Sequence, residues 1–369
     1  MANRRTLEIL VSNTDWNGRR VFITGHTGFK GGWLALWLAD LGAEVTGYAL
    51  APPTNPSLFE QARIGTRLRH IQNDVRDLAA LEAALVSARP EVVFHLAAQP
   101  LVRDSYDIPV ETFETNVMGT VNLLDACRRV EGLRAVVCVT SDKCYENREW
   151  VWPYRESDPM GGHDPYSCSK GAAELVVAAY RRSFFSAGTG VASVRAGNVI
   201  GGGDWANDRL VPDIIRALEA GLRPLIRSPH SVRPWQHVLD ALSGYILIAE
   251  RLLAGDKTAA TGWNFGPSDD DTRPVGWIVE QMLAQWGGAS GWDQPQNLQP
   301  HEAQLLRLDC SKARSELGWR PKLVLREALA KVISWHRDVA AGADALEVTF
   351  GQLREYRSSL ANSAREKEI

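Results

Sequence analysis

The chain has 369 residues, 45% hydrophobic and 23% charged, with a formal net charge of -3. That is enough apolar material for one large or two modest domains, and too little net charge for nucleic acid to be the main partner, although a local basic pocket for a phosphorylated small molecule stays open. The five cysteines (Cys127, Cys138, Cys144, Cys168, Cys310) form no CxxC pair and no metal-like spacing with histidine, no run approaches membrane-spanning length, and the N-terminus leads into no apolar signal segment; a reduced cytoplasmic protein with no metal, neither exported nor anchored, is expected.

In chain order, residues 1 to about 18 are polar and expected at the periphery, with the fold beginning at Arg20. Val21-Phe22-Ile23 suits a buried parallel strand, and Gly25, Gly28 and Gly31 follow at a three-residue period before an apolar helical pattern, Trp33, Leu34, Leu36, Trp37 and Leu38. Each glycine has a task in a dinucleotide cradle. Gly25 turns the chain out of the strand, Gly28 lets backbone amides approach a pyrophosphate, and Gly31 lets the helix lie close to the sheet, its N-terminus facing the phosphates. A tight turn without a ligand would use the same glycines; the order of strand, turn and helix favours the dinucleotide.

Glu44 to Tyr48 predicts a second strand and Ala51 to Pro56 a proline-rich loop. The acidic residue that commonly ends this strand and holds ribose hydroxyls is absent, with Tyr48-Ala49-Leu50-Ala51 in its place, and no Arg or Lys stands there to take a 2′-phosphate. NAD is therefore expected rather than NADP. Further elements are a short strand from Ile71 ending at the acidic pair Asp74 and Asp77, a helix over Leu78 to Ala88, a buried strand from Val92, a long helix over Thr112 to Arg129, a strand over Leu133 to Thr140, a helix over Tyr166 to Phe185 and a strand over Gly190 to Arg195. This alternation predicts an α/β fold built on a doubly wound parallel (Rossmann) sheet. After Arg195 a loop rich in Gly, Asn and Asp opens a region read as short, irregular elements: a smaller α/β substrate-binding domain toward the C-terminus. The expected division is 16–196 for the cofactor domain, 197–357 mainly for substrate with segments shared between the two, and a frayed polar tail over 358–369.

Tyr166-Ser-Cys-Ser-Lys170 sets a phenol and an ammonium four residues apart on one face at the start of a helix, where the lysine can favour the ionised phenol. A tyrosine with a lowered pKa is a general base for a sugar or alcohol hydroxyl, and the lysine can also hold a nicotinamide ribose. A solvated helix face is the competing reading; the distance from the glycine turn, long enough for three further βα units, and Pro165 at the helix start favour catalysis. Ser141, Asp142 and Lys143 follow an apolar strand at its carboxyl end, where ligands bind in open parallel sheets. They suit hydrogen bonding and proton transfer, with a strand-terminating polar turn as the alternative.

Gly25-x-x-Gly-x-x-Gly31, the Asp74 segment, His95-Leu-Ala-Ala98, Asn116, the Ser141 strand end and Tyr166-x-x-x-Lys170 together resemble the extended short-chain dehydrogenase/reductase family, and within it the nucleotide-sugar 4,6-dehydratases. Three longer stretches are similar to the branch that acts on CDP-D-glucose: Gly-His-Thr-Gly-Phe-Lys-Gly-x-Trp-Leu, Thr-Ser-Asp-Lys-Cys-Tyr-x-Asn-x-Glu-Trp and Asp-Pro-Met-Gly-Gly-x-Asp-Pro-Tyr-Ser-x-Ser-Lys. The likeness runs from about Trp16 to about Tyr356. It implies that Gly25, Thr27, Gly28, Phe29, Lys30 and Gly31 hold NAD, that Asp74 and Val75 meet its adenine, that Leu96, Ala97 and Ala98 line the path to the nicotinamide, and that Asn116 belongs to the same site. Tyr166 and Lys170 would be the redox pair, and Ser141, Asp142 and Lys143 stand where the family's dehydratases carry Thr-Asp-Glu. On the substrate side, Asn198 and Arg209 match positions that meet the nucleotide phosphates or base, Arg233 matches a phosphate-binding arginine, and Asn264 is a further match; surface charge is the alternative for the arginines.

The implied reaction turns CDP-D-glucose into CDP-4-dehydro-6-deoxy-D-glucose and water: oxidation at C4 with Tyr166 as base, loss of the C5 hydrogen and the C6 hydroxyl with Asp142 as acid, and hydride return to C6. Lys143 replaces the family's glutamate base. An ionised pair and a neutral pair of Asp142 and Lys143 carry the same number of protons, and a desolvated site penalises separated charges, so Lys143 is expected to be the C5 base, with mere substrate binding as the alternative. Dehydratases of dTDP- or GDP-sugars are the nearest rivals. A nucleotide-sugar 4-epimerase would not need an acid and base at C5 and C6, and a non-catalytic nucleotide-binding protein would not need Tyr166, Lys170 and Asp142 intact. Apolar residues on more than one face of the two long helices (Val117, Val121, Leu123, Leu124; Leu175, Val176, Val177, Tyr180) and the pairing of these helices in the resembled family imply a homodimer or a dimer of dimers.

Overall fold

In the computed structural model, which describes residues 15–185, 188–287, 291–295 and 305–365, seven short strands form one parallel sheet. These are β1 (Arg20–Thr24), β2 (Glu44–Ala49), β3 (Arg69–Gln72), β4 (Val92–His95), β5 (Ala135–Val139), β6 (Gly190–Ala196) and β9 (Gly262–Phe265), in the order β3-β2-β1-β4-β5-β6-β9. The order of strands reverses between β1 and β4, the place where an open α/β sheet leaves a crevice beyond its carboxyl edge. Central strands read as unbroken apolar runs because both faces are covered. Val21 and Ile23, Val92 and Phe94, and Val137 join the core beneath the helices Phe29–Asp40 and Val238–Leu253. Phe22, Val93 and Val136 point to the other face, against Leu81 and Leu85 of Leu78–Ala88, Leu123 and Leu124 of Gly119–Cys127, and Val177 of Pro165–Phe184. β3 is polar and mostly exposed, as befits an edge strand.

A second, three-stranded sheet joins β7 (Asn198–Ile200), β8 (Val232–His237) and β10 (Thr272–Pro274) in the order β10-β8-β7. It rests on a third core, where Ile214 and Ile215 of Leu210–Glu219, Ile278 and Met282 of Val275–Trp286, and Leu329 and Val332 of Leu325–Ala340 surround Trp235.

Four expectations change. The region beyond 196 is not short and irregular: Val238–Leu253 and Leu325–Ala340 have 16 residues each. Val238–Leu253 is buried around most of its circumference and so shows no narrow apolar stripe. The fold also starts before Arg20, because Trp16 is buried and its indole Nε1 donates to Glu250 Oε1 at 2.9 Å. The long helix expected over Thr112 to Arg129 runs from Pro109 to Cys127 and contains a π-helical turn, Glu114–Met118, while the helix Val102–Asp107 before it carries too few periodic positions to be foreseen. The expected tail is helical as far as Arg365 within Ala345–Arg365, and 366–369 lie outside the described residues, as do 1–14 of the expected N-terminal periphery. Among the described residues no helix is long and apolar enough to cross a membrane.

Candidate active site

The glycine turn brings three elements into van der Waals contact. Gly25 has φ +78°, and a Cβ there would stand 2.6 Å from the Ala97 nitrogen; a Cβ on Gly31 would stand 2.2 Å from the Gly25 carbonyl oxygen. Only glycine fits either position. Thr24 Oγ1 accepts from the backbone N–H groups of Leu96 and Ala97, both at 3.2 Å, which fixes the ends of β1 and β4 side by side. The helix Phe29–Asp40 then starts from Gly28 with no side-chain cap and no acid in its first turn, leaving its first N–H groups for an anion such as the diphosphate of a dinucleotide. Thr27 is drawn to β2 by a bond from its Oγ1 to the Leu50 carbonyl at 3.0 Å. At the end of β3, Asp74 is held by Arg76 at 2.9 and 2.6 Å, with Val75 buried beside it.

Beyond the carboxyl ends of β5 and β6 opens a cavity of about 270 Å³. Phe29, Lys30, Ser141, Asp142, Lys143 and Tyr166 line it together with Asn198, Arg209 and Arg233. Residues of the expected cofactor, catalytic and substrate-binding sets, as far apart in the chain as Phe29 and Arg233, thus line one cavity. Ser141 caps the short turn Asp142–Cys144: its Oγ accepts from Lys143 N–H at 3.2 Å and donates to Asp142 Oδ1 at 3.1 Å. Asp142 Oδ2 is buried without a hydrogen-bond partner among the described residues. Burial raises the Asp142 pKa, and the Lys143 charge and the Ser141 hydroxyl only partly oppose that. Burial thus makes the protonated carboxyl easier to reach than it is in water.

Tyr166 and Lys170 lie buried in the first turns of Pro165–Phe184, whose start is set by Pro165 and by Asp164 Oδ1 accepting from Ser167 N–H at 2.9 Å. The expectation of an acidified phenol is not met: burial pushes Tyr166 up to about 12, against a hydrogen bond from Ser141 that favours the phenolate. Burial also pushes Lys170 down to about 8. Desolvation of both groups outweighs what a helical turn of spacing can supply.

Two expected ligand contacts are corrected. Asn264 does not line the cavity; it is fully buried, its Oδ1 accepting from Tyr145 OH at 2.6 Å and its Nδ2 donating to the Tyr154 and Asp309 carbonyls at 2.9 and 3.1 Å. Asn116, in the π-helical turn, spends its side chain on the frame. Its Oδ1 accepts from Gln99 N–H at 2.9 Å, and its Nδ2 donates to the Gln99 carbonyl at 3.1 Å and to Ser169 Oγ at 2.8 Å. Residues that sequence reasoning missed complete the rim: Asp208 pairs with Arg103 at 3.3 Å and Arg227 at 2.9 Å, and Asp204 with Arg209 at 3.1 Å. The Asx-rich loop signalled the two acids, but nothing local marked Arg103. Among the described residues no group of three His, Cys, Asp or Glu side chains could hold a metal ion.

Residues 22–332 match the family model described as GDP-mannose 4,6 dehydratase. The chain is 52% identical over 356 residues to the CDP-glucose 4,6-dehydratase of Salmonella typhimurium, covering 95% of this chain and 99% of that one. It is 31% identical over 276 residues to the dTDP-glucose 4,6-dehydratase of Streptomyces antibioticus, covering 73% of this chain and 76% of that one. Among solved structures, the dTDP-glucose 4,6-dehydratase of Streptomyces venezuelae with NAD and TYD bound superposes with a TM-score of 0.75 at 26% identity, covering 89% of this chain and 100% of that one.

Lys30 offers a test of the cavity's electrostatics. Burial first, then the Lys170 and Arg209 charges, push its pKa from 10.5 down to about 7. A lysine depressed in the folded state binds its proton more weakly than in the unfolded chain, so the penalty is complete below about pH 7 and fades as pH rises through 10.5. Lys30→Met should therefore melt on the order of 2–4 °C above the parent at pH 6 to 7, with the gap closing toward pH 10; a gap independent of pH in calorimetry would contradict it.

Proposed function

Since the chain belongs to the GDP-mannose 4,6 dehydratase family of nucleotide-sugar enzymes, we propose that it is a CDP-D-glucose 4,6-dehydratase, an NAD-dependent hydro-lyase releasing CDP-4-dehydro-6-deoxy-D-glucose and water. The observation that carries the reading is the shared wall of Ser141, Asp142, Lys143 and Tyr166 in one cavity: a base for one hydroxyl beside an acid for the elimination of another. When bound, NAD accepts a hydride from C4 of the sugar and returns it at C6. Gly25, Thr27, Gly28, Phe29, Lys30 and Gly31 hold the dinucleotide, with Asp74 and Val75 at its adenine end and Leu96, Ala97 and Ala98 toward its nicotinamide. Tyr166 takes the C4 hydroxyl proton, and its Ser141 hydrogen bond stabilises the charge that forms on the phenol. Lys170 orients the nicotinamide ribose.

The C4 ketone acidifies C5–H, Lys143 removes that hydrogen, Asp142, whose pKa burial raises, protonates the departing C6 hydroxyl, and Lys143 gives a proton back to C5 as the hydride returns to C6. Asn198, Arg209 and Arg233 face the same cavity; Arg233 binds the nucleotide diphosphate, and Asn198 and Arg209 meet its phosphates or the base. The epimerase alternative leaves the buried Asp142 without a task. Residues 16–196 make up the cofactor lobe and 197–357 mainly the substrate lobe, with β9 lent back to the large sheet. The free cysteines, four of them buried, suit a reducing, cytoplasmic setting.

Incubation with CDP-, dTDP-, UDP- and GDP-hexoses and mass detection of water loss tests the reading. CDP-D-glucose should be dehydrated fastest, and loss of water from another nucleotide sugar alone would overturn it. In the same assay Lys143→Met should lower turnover by about 10²-fold or more and abolish exchange of C5–H with solvent deuterium, whereas exchange at the parent rate would assign the base elsewhere.

The reading includes a homodimer through the helices Pro109–Cys127 and Pro165–Phe184. Val110, Met118, Leu175 and Phe184 are exposed there at 70%, 49%, 62% and 50%, a concentration of apolar side chains that a monomer rarely leaves in water. Light scattering at micromolar concentration should give at least twice the chain mass of 40.7 kDa; a single-chain mass would refute it.

A further inference from the structure

Behind the catalytic turn lies a buried ion pair to which the proposed chemistry assigns no step. Glu174 sits one helical turn beyond Lys170 on Pro165–Phe184, and Arg195 lies on β6; each is 4% exposed. Arg195 Nε and Nη2 donate to the two carboxylate oxygens of Glu174, both at 2.8 Å. Two hydroxyls complete the carboxylate's shell: Thr140 Oγ1 donates to Oε1 at 2.5 Å and Ser193 Oγ to Oε2 at 2.7 Å. Burial alone would raise the Glu174 pKa, but the Arg195 charge and these hydrogen bonds outweigh it and hold the carboxylate ionised.

The far end of Arg195 reaches the other side of the same turn. Its Nη1 donates to Tyr145 OH at 2.6 Å, and Tyr145 OH donates to Asn264 Oδ1 at 2.6 Å. Thr140 directly precedes Ser141, and Tyr145 directly follows Cys144. The segment Ser141-Asp142-Lys143 is thereby tied at both ends to one ion pair, and the helix carrying Tyr166 and Lys170 is tied to that pair through Glu174 itself.

From this geometry we propose that Thr140, Glu174 and Arg195 are positioning residues that fix the spacing between the oxidising pair, Tyr166 and Lys170, and the eliminating pair, Asp142 and Lys143. The proposal rests on the dehydratase reading. In that reaction one bound sugar must be served at C4 by the first pair and at C5 and C6 by the second without leaving the site, and a misplacement of about 1 Å costs on the order of 10²-fold in rate. A rigid tie between strand and helix meets that demand.

Thr140 and Ser193 make the test discriminating, because each gives one hydroxyl to the same carboxylate but only Thr140 adjoins the catalytic turn. Thr140→Val keeps the shape and β-branching of the side chain. It should lower kcat for water loss from CDP-D-glucose about 10-fold or more, leave KM within about twofold, and release some 4-ketone with its C6 oxygen retained. Thr140→Ser should restore kcat. Ser193→Ala should melt at a similar temperature to Thr140→Val and keep kcat within about twofold of the parent. Equal kcat values for Thr140→Val and Ser193→Ala, whether both reduced or both intact, would overturn the positioning unit and leave the dehydratase reading standing. A parent protein that removes no water from CDP-D-glucose would instead overturn the reading, and the proposal with it.

Discussion

Desolvation at the carboxyl edge of the large sheet is the constraint on which the rest of the site depends. Burial is the largest influence on Asp142, Tyr166, Lys170 and Lys30 alike, moving the acids up and the amines down. Each shift disfavours the charged form, so these groups gain or give up a proton more readily in the neutral direction than they would in water. Deeper still, Glu174 and Arg195 remain charged under the same burial, because each satisfies the other with paired hydrogen bonds. The difference between the two layers is hydrogen-bond completeness: Asp142 Oδ2 has no partner among the described residues, whereas both oxygens of Glu174 are saturated.

The fold supplies that desolvation through its topology. The strands' carboxyl ends share one edge of the sheet, and the glycine turn, where a Cβ on Gly31 would stand 2.2 Å from the Gly25 carbonyl oxygen, lets the first helix lie close to that edge. The second sheet then brings Arg233 on β8 and the loop carrying Asp204 and Arg209 across from the catalytic turn. Ser141, Asp142, Lys143 and Tyr166 stand at the ends of β5 and of the helix Pro165–Phe184, while Arg209 stands at the end of a loop and Arg233 on the smaller sheet.

Much of this was legible in the amino-acid order. The alternating strands and helices up to Arg195 follow from apolar runs and helical spacing, and Ser141, Asp142, Lys143 and Tyr166 line one cavity as their strand-end and helix-start positions required, while Lys170 lies buried outside its lining. What could not be read was set by contacts distant in sequence. Asn264 was expected to meet substrate because its position matches the resembled family's motif, yet Tyr145, Tyr154 and Asp309 use up its amide. The Tyr166 phenol was expected to be acidified by a neighbour one turn away, but burial, which no spacing reveals, dominates it. Arg103 and Arg227 reach the rim through Asp208, across 105 and 19 positions of chain.

The central claim is that one enclosed site oxidises C4, eliminates across C5 and C6, and restores the borrowed hydride within a single residence of the sugar. CDP-D-glucose deuterated at C4 tests it directly, with the product analysed by mass spectrometry and NMR. The account predicts a product lighter by one water with deuterium at C6. Deuterium lost to solvent, or found on free dinucleotide, would contradict it.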